Sequence, residues 1–223
     1  MRHRVLLAAA SLSITAATVI APTSQASADT TTTGKELLSK LSVEAESTRH
    51  YDRDKFMKDW ADRNGDCQNT RSEVLQDESS VPVTYWANNP CKPVMTGQWL
   101  SWYDEKASTN PVQDLQIDHV VALSEAWDSG AWAWTNAKRK RYANDLGFAW
   151  TLDAVTGSVN QDKSDSDPVD WLPDNHVCKY ARHWVAIKYR WKLSIDTDEK
   201  TKLAGILTGD CGALDLTIPK RAK

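Results

Sequence analysis

The sequence lacks an excess of positive charge. It holds 27 lysines and arginines against 30 aspartates and glutamates, for a formal net charge of −3. Proteins that hold nucleic acid by bulk electrostatics are usually basic. If this protein binds a polyanion, it must therefore do so through local positive charge and a cation.

Long apolar runs are absent beyond the N-terminal segment, so no membrane-spanning helix is expected. Within that segment, Arg2 and Arg4 precede an apolar stretch that starts at Val5, and Ala26-Ser27-Ala28 offers an A-x-A cleavage site. This pattern is typical of a cleaved secretory signal peptide. We therefore expect a secreted, extracellular protein whose net charge after cleavage is −5, since the removed part contains two arginines and no acid. The predicted divisions are residues 1–28 (signal peptide), 29–34 (flexible mature N-terminus) and 35–223 (one soluble domain).

Cysteines are few, and none forms a C-x-x-C pair, which argues against a cysteine-bound zinc ion. In an exported protein, four cysteines predict two disulfides, with three possible pairings. We favour the pairing of neighbours along the chain, Cys67–Cys91 and Cys178–Cys211.

Phenylalanine is also scarce, with two residues against eleven tryptophans. Large amphipathic rings commonly pack in cores and at their rims, and we expect this of most of the tryptophans. Exposed tryptophans would instead suit a surface that binds cell-wall polymers.

A chemical motif lies in "LQIDHVVALSEAW", residues 115–127, where a β-prone apolar run carries Asp118 and His119 side by side. A second motif is "NQDK", in which Asn160 and Lys163 would share one face of a helix. Between the two motifs, "FAWTLDAVTG" alternates like a strand. The order of strand, excursion, strand and helix is the layout of a ββα-metal, or HNH, nuclease site.

The sequence resembles secreted bacterial and fungal HNH endonucleases between about residues 37 and 211. The resemblance rests on the strings "DCQNTRSEVL", "IDHVVALSEAWDSGAWAW", "RYANDL", "LDAVTGSVNQDKSDSDPVDWLP" and "CKYARHWVAIKYRW". It implies an α+β fold in which a ββα-metal (HNH, or His-Me finger) core is embedded in a mostly helical, disulfide-stabilised single domain. It also implies cleavage of phosphodiester bonds that leaves 5′-phosphate and 3′-hydroxyl ends.

Phosphodiester hydrolysis needs a base for water and positive charge at the phosphate. His119 is the natural general base, because a neutral imidazole titrates close to working pH. Asp118 and Asn160 offer hard oxygen ligands, which suit Mg²⁺ first, Mn²⁺ next and Zn²⁺ less well. Lys163 would hold a phosphate oxygen. Asn144, in "YANDL", matches the family string, and we interpret it as an orienter of the His119 loop.

Five basic side chains are candidates for substrate binding, with a solvated helix face as the alternative. They are Lys138, Arg139, Arg141, Arg182 and Lys188. The expected partner is nucleic acid, with DNA first and RNA as a second candidate. No base-reading module is found, so little sequence specificity is expected, and no obligate protein partner is evident in a predicted monomer.

Two other function classes stay open on the sequence alone. A glycoside hydrolase would use two carboxylates drawn from Asp104, Glu105, Asp118, Glu125 and Asp128. A non-catalytic wall-binding module would use exposed tryptophans. Neither alternative explains the order of the Asp-His and Asn-x-x-Lys motifs.

Overall fold

A computed structural model describes residues 31–222 of the chain. The predicted signal peptide lies outside the described residues, as do Asp29 and Thr30. Within the described part, no helix is long and apolar enough to cross a membrane.

The described residues form helices and short antiparallel strand pairs, an α+β arrangement. The helices are α1 (Gly34–Ser39), α2 (Thr70–Glu78), α3 (Pro111–Asp114), α4 (Leu123–Asp128), α5 (Asn136–Ala143), α6 (Gly157–Lys163), α7 (Val177–Trp191), α8 (Thr197–Ile206) and α9 (Gly209–Ala213). The strands are β1 (Thr31–Thr33), β2 (Thr84–Tyr85), β3 (Val94–Thr96), β4 (Trp99–Ser101), β5 (Lys106–Ser108), β6 (Leu115–His119), β7 (Leu152–Thr156) and β8 (Asp215–Thr217). They pair as β1–β8, β2–β3, β4–β5 and β6–β7.

The N-terminal part of the described chain forms a short strand and a helix cap, and the flexibility of residues 29–34 stays a prediction. Thr31–Thr33 pairs antiparallel with Asp215–Thr217. Thr33 then caps α1, because its hydroxyl accepts a hydrogen bond from the backbone of Glu36, whose carboxylate accepts one from Thr33 in return. The pairing joins the two ends of the described chain.

The pair β6–β7 and helix α6 form a compact unit. Asp118 lies opposite Asp153, and His119 lies opposite Leu152, in the antiparallel register. Helix α6 begins directly after β7 and packs against both strands. The helix ends at Lys163, because the next residue, Ser164, has a φ of 51° that cannot continue a right-handed helix. The unit therefore has the strand, strand and helix order that the sequence predicts.

Helix α7 is the centre of the larger hydrophobic core. Its buried stripe includes Tyr180, Trp184, Ile187 and Trp191, which recur at helical spacing. A smaller cluster beneath the β6–β7 pair joins Ile117 and neighbouring apolar side chains to α2. Most tryptophans are buried or half-buried in these layers, as predicted. Among the described residues, the exposed ones are Trp86 and Trp132.

Both predicted disulfides are formed. Cys67–Cys91 links the turn before α2 to the turn before β3, and Cys178–Cys211 links α7 to α9. The cysteines of the first bridge are 24 residues apart in the sequence, and those of the second are 33 residues apart. The two bridges thus brace opposite parts of the fold, one beside the small cluster and one beside the large core.

Candidate active site

Asp118, His119 and Asn160 line one pocket of about 410 Å³, which we call the His119 pocket. The first two lie at the end of β6, and Asn160 lies in α6, directly after β7. Antiparallel pairing of the strands brings these distant parts of the sequence together. Tyr51 and Arg53 close another side of the pocket from a segment far upstream.

Asp118 is 4% exposed, and both of its carboxylate oxygens accept hydrogen bonds. The Lys163 ammonium donates to Oδ1 at 2.9 Å, and the Tyr103 hydroxyl donates to Oδ2 at 2.7 Å. Burial raises the pKa of Asp118, while the Lys163 charge and the two hydrogen bonds lower it in part. The carboxylate is thus held rigidly at the wall of the pocket.

Lys163 lies on the predicted helix, but its side chain does not face the His119 pocket. The structure therefore does not support the expected contact with a phosphate oxygen. The side chain is fully buried and does not line the His119 pocket. Besides Asp118, its ammonium donates to the His119 carbonyl oxygen at 3.1 Å. Lys163 therefore ties the last turn of α6 to the end of β6, and its charge is compensated inside the protein.

The His119 ring is fixed by a hydrogen bond and by stacking. Nε2 lies 2.9 Å from the Ala143 carbonyl oxygen, which can only accept, so Nε2 carries the proton when the imidazole is neutral. The ring stacks on Trp60 with 5.4 Å between centroids and 11° between planes, and it lies nearly parallel to Tyr142. This tautomer leaves the Nδ1 lone pair free to accept a proton.

The pKa of His119 is lowered to about 3, chiefly by burial. The hydrogen bond to the Ala143 carbonyl opposes this shift, and the charges of Arg53 and Lys163 add to it. The imidazole of the described protein is therefore neutral at physiological pH.

Asn144 is buried and joins two backbone segments. Its Oδ1 accepts from the Ala61 amide at 3.0 Å, and its Nδ2 donates to the Lys140 carbonyl at 3.0 Å. These bonds hold Ala61 beside the segment that follows α5, next to the residues that touch the His119 ring. Asn144 does not line the pocket, and its role as an orienter of the His119 loop stays a prediction.

Asn160 is half-buried, and its Nδ2 donates to the Gln116 side chain at 2.8 Å. No hydrogen bond from residues 31–222 reaches its Oδ1. That oxygen is one further hard donor at the pocket, beside the carboxylates of Asp118 and Asp165.

The five basic candidates for substrate binding do not line the His119 pocket in the described part of the chain. For two of them, the structure contradicts the expected role in substrate binding. Arg139 is buried and donates to the Ala131 carbonyl and the Asn136 side chain. Lys188 is fully buried among Glu125, Ser129 and Glu199.

The other three basic candidates lie at the surface, outside this pocket. Lys138 covers the Trp134 ring at 3.9 Å, and Arg182 donates to the Asp215 carbonyl. Arg141 lines a separate cavity beside Asn144. A contact between these side chains and an extended substrate stays a prediction.

A neighbouring cavity of about 730 Å³, which we call the acidic pocket, shares Ser124 and Asp165 with the His119 pocket. Glu46, Asp167 and Asp196 each bring one carboxylate oxygen within 4.8 Å of the others there. Burial raises the pKa of Glu46 and of Asp167, with nearby carboxylates adding to the shift. The wall between the two pockets thus separates a negative surface from the His119 site.

Sequence reasoning missed four residues that build the site. Tyr103 binds Asp118, Trp60 stacks on His119, and Tyr51 and Arg53 line the pocket. The abundance of tryptophan was a general signal for aromatic packing, but no spacing in the sequence points to these four positions.

Comparison with known proteins assigns most of the chain to a family. Residues 69–206 match the family model described as "GmrSD restriction endonucleases, C-terminal domain". A protein of Arthroderma benhamiae described as an "uncharacterized secreted protein" is 40% identical over 179 residues, which are 78% of this chain and 83% of that protein. No solved structure matches. Because the family match spans more than half of the chain and includes Asp118, His119, Asn144 and Asn160, the chain belongs to the family of the C-terminal domain of GmrSD restriction endonucleases.

Proposed function

We propose that this protein is a secreted, divalent-metal-dependent endonuclease that hydrolyses the phosphodiester bonds of DNA, and of RNA as a second substrate, with little sequence specificity. The observation that carries the proposal is that Asp118, His119 and Asn160 line one pocket. Membership in a family of restriction endonuclease domains supports it. We further propose that β6, β7 and α6 are a ββα-metal core of the HNH type.

His119 would act as the general base. A water in the pocket can lose a proton to Nδ1, because Nε2 is held by the Ala143 carbonyl. Trp60 fixes the plane of the ring, so the lone pair keeps its direction. An anionic phosphate in the pocket would raise the pKa of His119 from its depressed value, since negative charge stabilises imidazolium. Substrate binding would thus bring the pKa of His119 closer to working pH.

Asp118 and Asn160 are the residues that would hold the cation. Their donors fit it, because a carboxylate has about four lone-pair sites and two are taken by Lys163 and Tyr103. Oxygen donors of this kind favour Mg²⁺, then Mn²⁺, over Zn²⁺. When bound, a divalent cation would offset the phosphate charge and stabilise the leaving oxygen.

The two alternative functions find less support in the structure. Among the described tryptophans, only Trp86 and Trp132 are exposed, which leaves little aromatic surface for wall polymers. Two of the carboxylates that a glycoside hydrolase might use are engaged by buried ammonium groups, Asp118 by Lys163 and Glu125 by Lys188.

Secretion is proposed on three grounds. The N-terminal sequence has the pattern of a signal peptide, and two disulfides suit an oxidising compartment. The similar protein of Arthroderma benhamiae is described as secreted. We expect the mature protein in the culture medium of an expressing host, and retention of the full-length chain in the cells would contradict this.

The direct test of the nuclease function is cleavage of supercoiled plasmid DNA by the purified protein. We expect nicking with Mg²⁺ or Mn²⁺ and none after EDTA. His119→Ala should lower the rate by at least about 10²-fold, the usual contribution of general base catalysis. The matched control is His176→Ala, because His176 is half exposed and pairs with Glu105 outside the pocket. Undiminished cutting in EDTA, or by His119→Ala, would refute the mechanism.

A further inference from the structure

The chain from Arg49 to Trp60 lies upstream of the family match, yet it completes the His119 pocket. It has little regular structure beyond a short turn at Arg53–Lys55, which the Asp52 side chain caps. Phe56 is buried and packs against the aromatic rings of the core. The segment is thus fixed to the domain and presents its polar side chains at defined positions.

Arg53 is the positive side chain that this segment gives to the pocket. Among the residues 31–222 that line the His119 pocket, it is the one arginine or lysine. Burial raises the pKa of the half-buried Tyr51, while the charge of Arg53 and a side-chain hydrogen bond from it lower that pKa in part. The guanidinium therefore lies beside the Tyr51 side chain in the lining of the pocket.

Two other basic residues, both buried, are already compensated by carboxylates. Lys163 is paired with Asp118, and Arg190 is paired with Asp145. In contrast, Arg53 is exposed, and no carboxylate of the described chain lies within ion-pair distance of it. A guanidinium without an acidic partner, at the mouth of a pocket, can bind an anion without first breaking an ion pair.

The charge around the pocket also limits the approach of a polyanion. The acidic pocket begins directly beyond Ser124 and Asp165, so nucleic acid that crossed this wall would meet a group of carboxylates. Arg53 lines the His119 pocket and is not part of the acidic pocket. A planar guanidinium can donate two parallel hydrogen bonds to phosphate oxygens, which a point charge such as ammonium cannot do.

We propose that Arg53 binds the non-bridging oxygens of the substrate phosphate in the His119 pocket, the task that the sequence had suggested for Lys163. This inference rests on the proposed nuclease function. It makes a residue outside the family-matched region a part of the active site, with a phosphodiester as its ligand.

The experiment compares Arg53→Ala and Arg53→Lys with Arg49→Ala. Arg49 is a matched control, because it is an exposed arginine of the same segment whose guanidinium covers Trp132 instead of the pocket. We expect Arg53→Ala to lower kcat/KM for DNA by about 10²-fold, as for the loss of one donor to transition-state charge. Arg53→Lys should recover part of this loss, and Arg49→Ala should cleave like the original protein. Melting temperatures would show that all three variants are folded.

A second measurement separates this inference from the nuclease function. Binding of a short DNA duplex is followed by fluorescence anisotropy in EDTA, with the variants made in the His119→Ala protein. Arg53→Ala should weaken binding about tenfold and more than Arg49→Ala does, since a charge-assisted hydrogen bond to the phosphate is lost. Equal binding by both variants, or equal cleavage by Arg53→Ala and the original protein, would overturn the role of Arg53. A protein that binds in this way but cuts no DNA with any metal would refute the nuclease function alone.

Discussion

Lys163 and Lys188 are both completely buried, but their surroundings differ. Lys163 has one carboxylate partner, Asp118, in the wall of the His119 pocket. Lys188 lies between two carboxylates, Glu125 and Glu199, away from that pocket.

The comparison shows that a buried lysine can position the residues of a site or join the helices of the core. The Lys188 group joins α4, α7 and α8 and also includes the Ser129 hydroxyl and the Trp184 indole, which donates to Glu199. The Lys163 group joins α6 to the end of β6 and holds the two residues on which the proposed chemistry depends. A buried ion pair is weak evidence for stability as such, whereas loss of one partner is costly in either place. The two groups should therefore differ in activity more than in stability.

The largest effect is expected for Lys163→Met. The change leaves the Asp118 carboxylate buried without a counter-charge, which should lower the free energy of unfolding by about 3–5 kcal/mol. Cleavage by the folded protein should fall by about 10²-fold, because misplacement of a reacting group by about 1 Å can have that cost. Urea denaturation and plasmid cleavage at low temperature measure the two effects.

A compensating change isolates the electrostatic cause. Adding Asp118→Asn to Lys163→Met removes the uncompensated charge, so stability should be largely restored while activity stays lost. Should Lys163→Met cleave DNA like the original protein, the lysine would be dispensable for positioning Asp118 and His119.

Lys188→Met is expected to affect stability alone. Removal of the ammonium leaves two buried carboxyl groups together, and the free energy of unfolding should fall by about 3–5 kcal/mol. Under conditions in which the variant is folded by circular dichroism, its cleavage rate should match that of the original protein. A loss of activity as large as that of Lys163→Met would show that the Lys188 group is coupled to the His119 pocket.

The two lysines also show what the sequence could predict. The Asp-His and Asn-x-x-Lys motifs are local patterns, and the strand and helix periods around them place Asp118, His119 and Asn160 correctly on one unit. The same helical spacing put Lys163 beside Asn160, but Lys163 is the last residue of α6 and its side chain turns inward to Asp118. The direction of a charged side chain at a helix end depends on its tertiary partner.

The remaining parts of the site depend on contacts between distant segments. Tyr103 reaches Asp118 across fifteen residues, and Asn144 bonds to Ala61 across 83. Arg139 looked like one member of an exposed basic run, yet the carbonyls of the preceding turn draw it into the protein. The sequence carries no local signal for such pairings, because they are formed only when the core assembles.

The smallest expected effect is a pH dependence of stability at the Lys188 group. Burial raises the pKa of Glu199 to about 8 from an ordinary value of 4.5; the Lys188 charge opposes this shift, and the charge of Glu125 adds to it. Between these values the folded protein binds more protons than the unfolded chain, so this contribution to stability is present below about pH 4.5 and is lost as pH rises to about 8. Glu199→Gln removes the titrating group.

We therefore expect the stability advantage of the original protein over Glu199→Gln to shrink as pH rises from about 5 to about 8, at most by about 1.4 kcal/mol per pH unit. The measurement is urea denaturation of both proteins across this range. Asp118→Asn is measured in the same way, because burial also raises the pKa of Asp118, beside a single ammonium group. An advantage that is constant with pH would mean that Glu199 is ionised throughout, with Lys188 compensating both of its carboxylate neighbours.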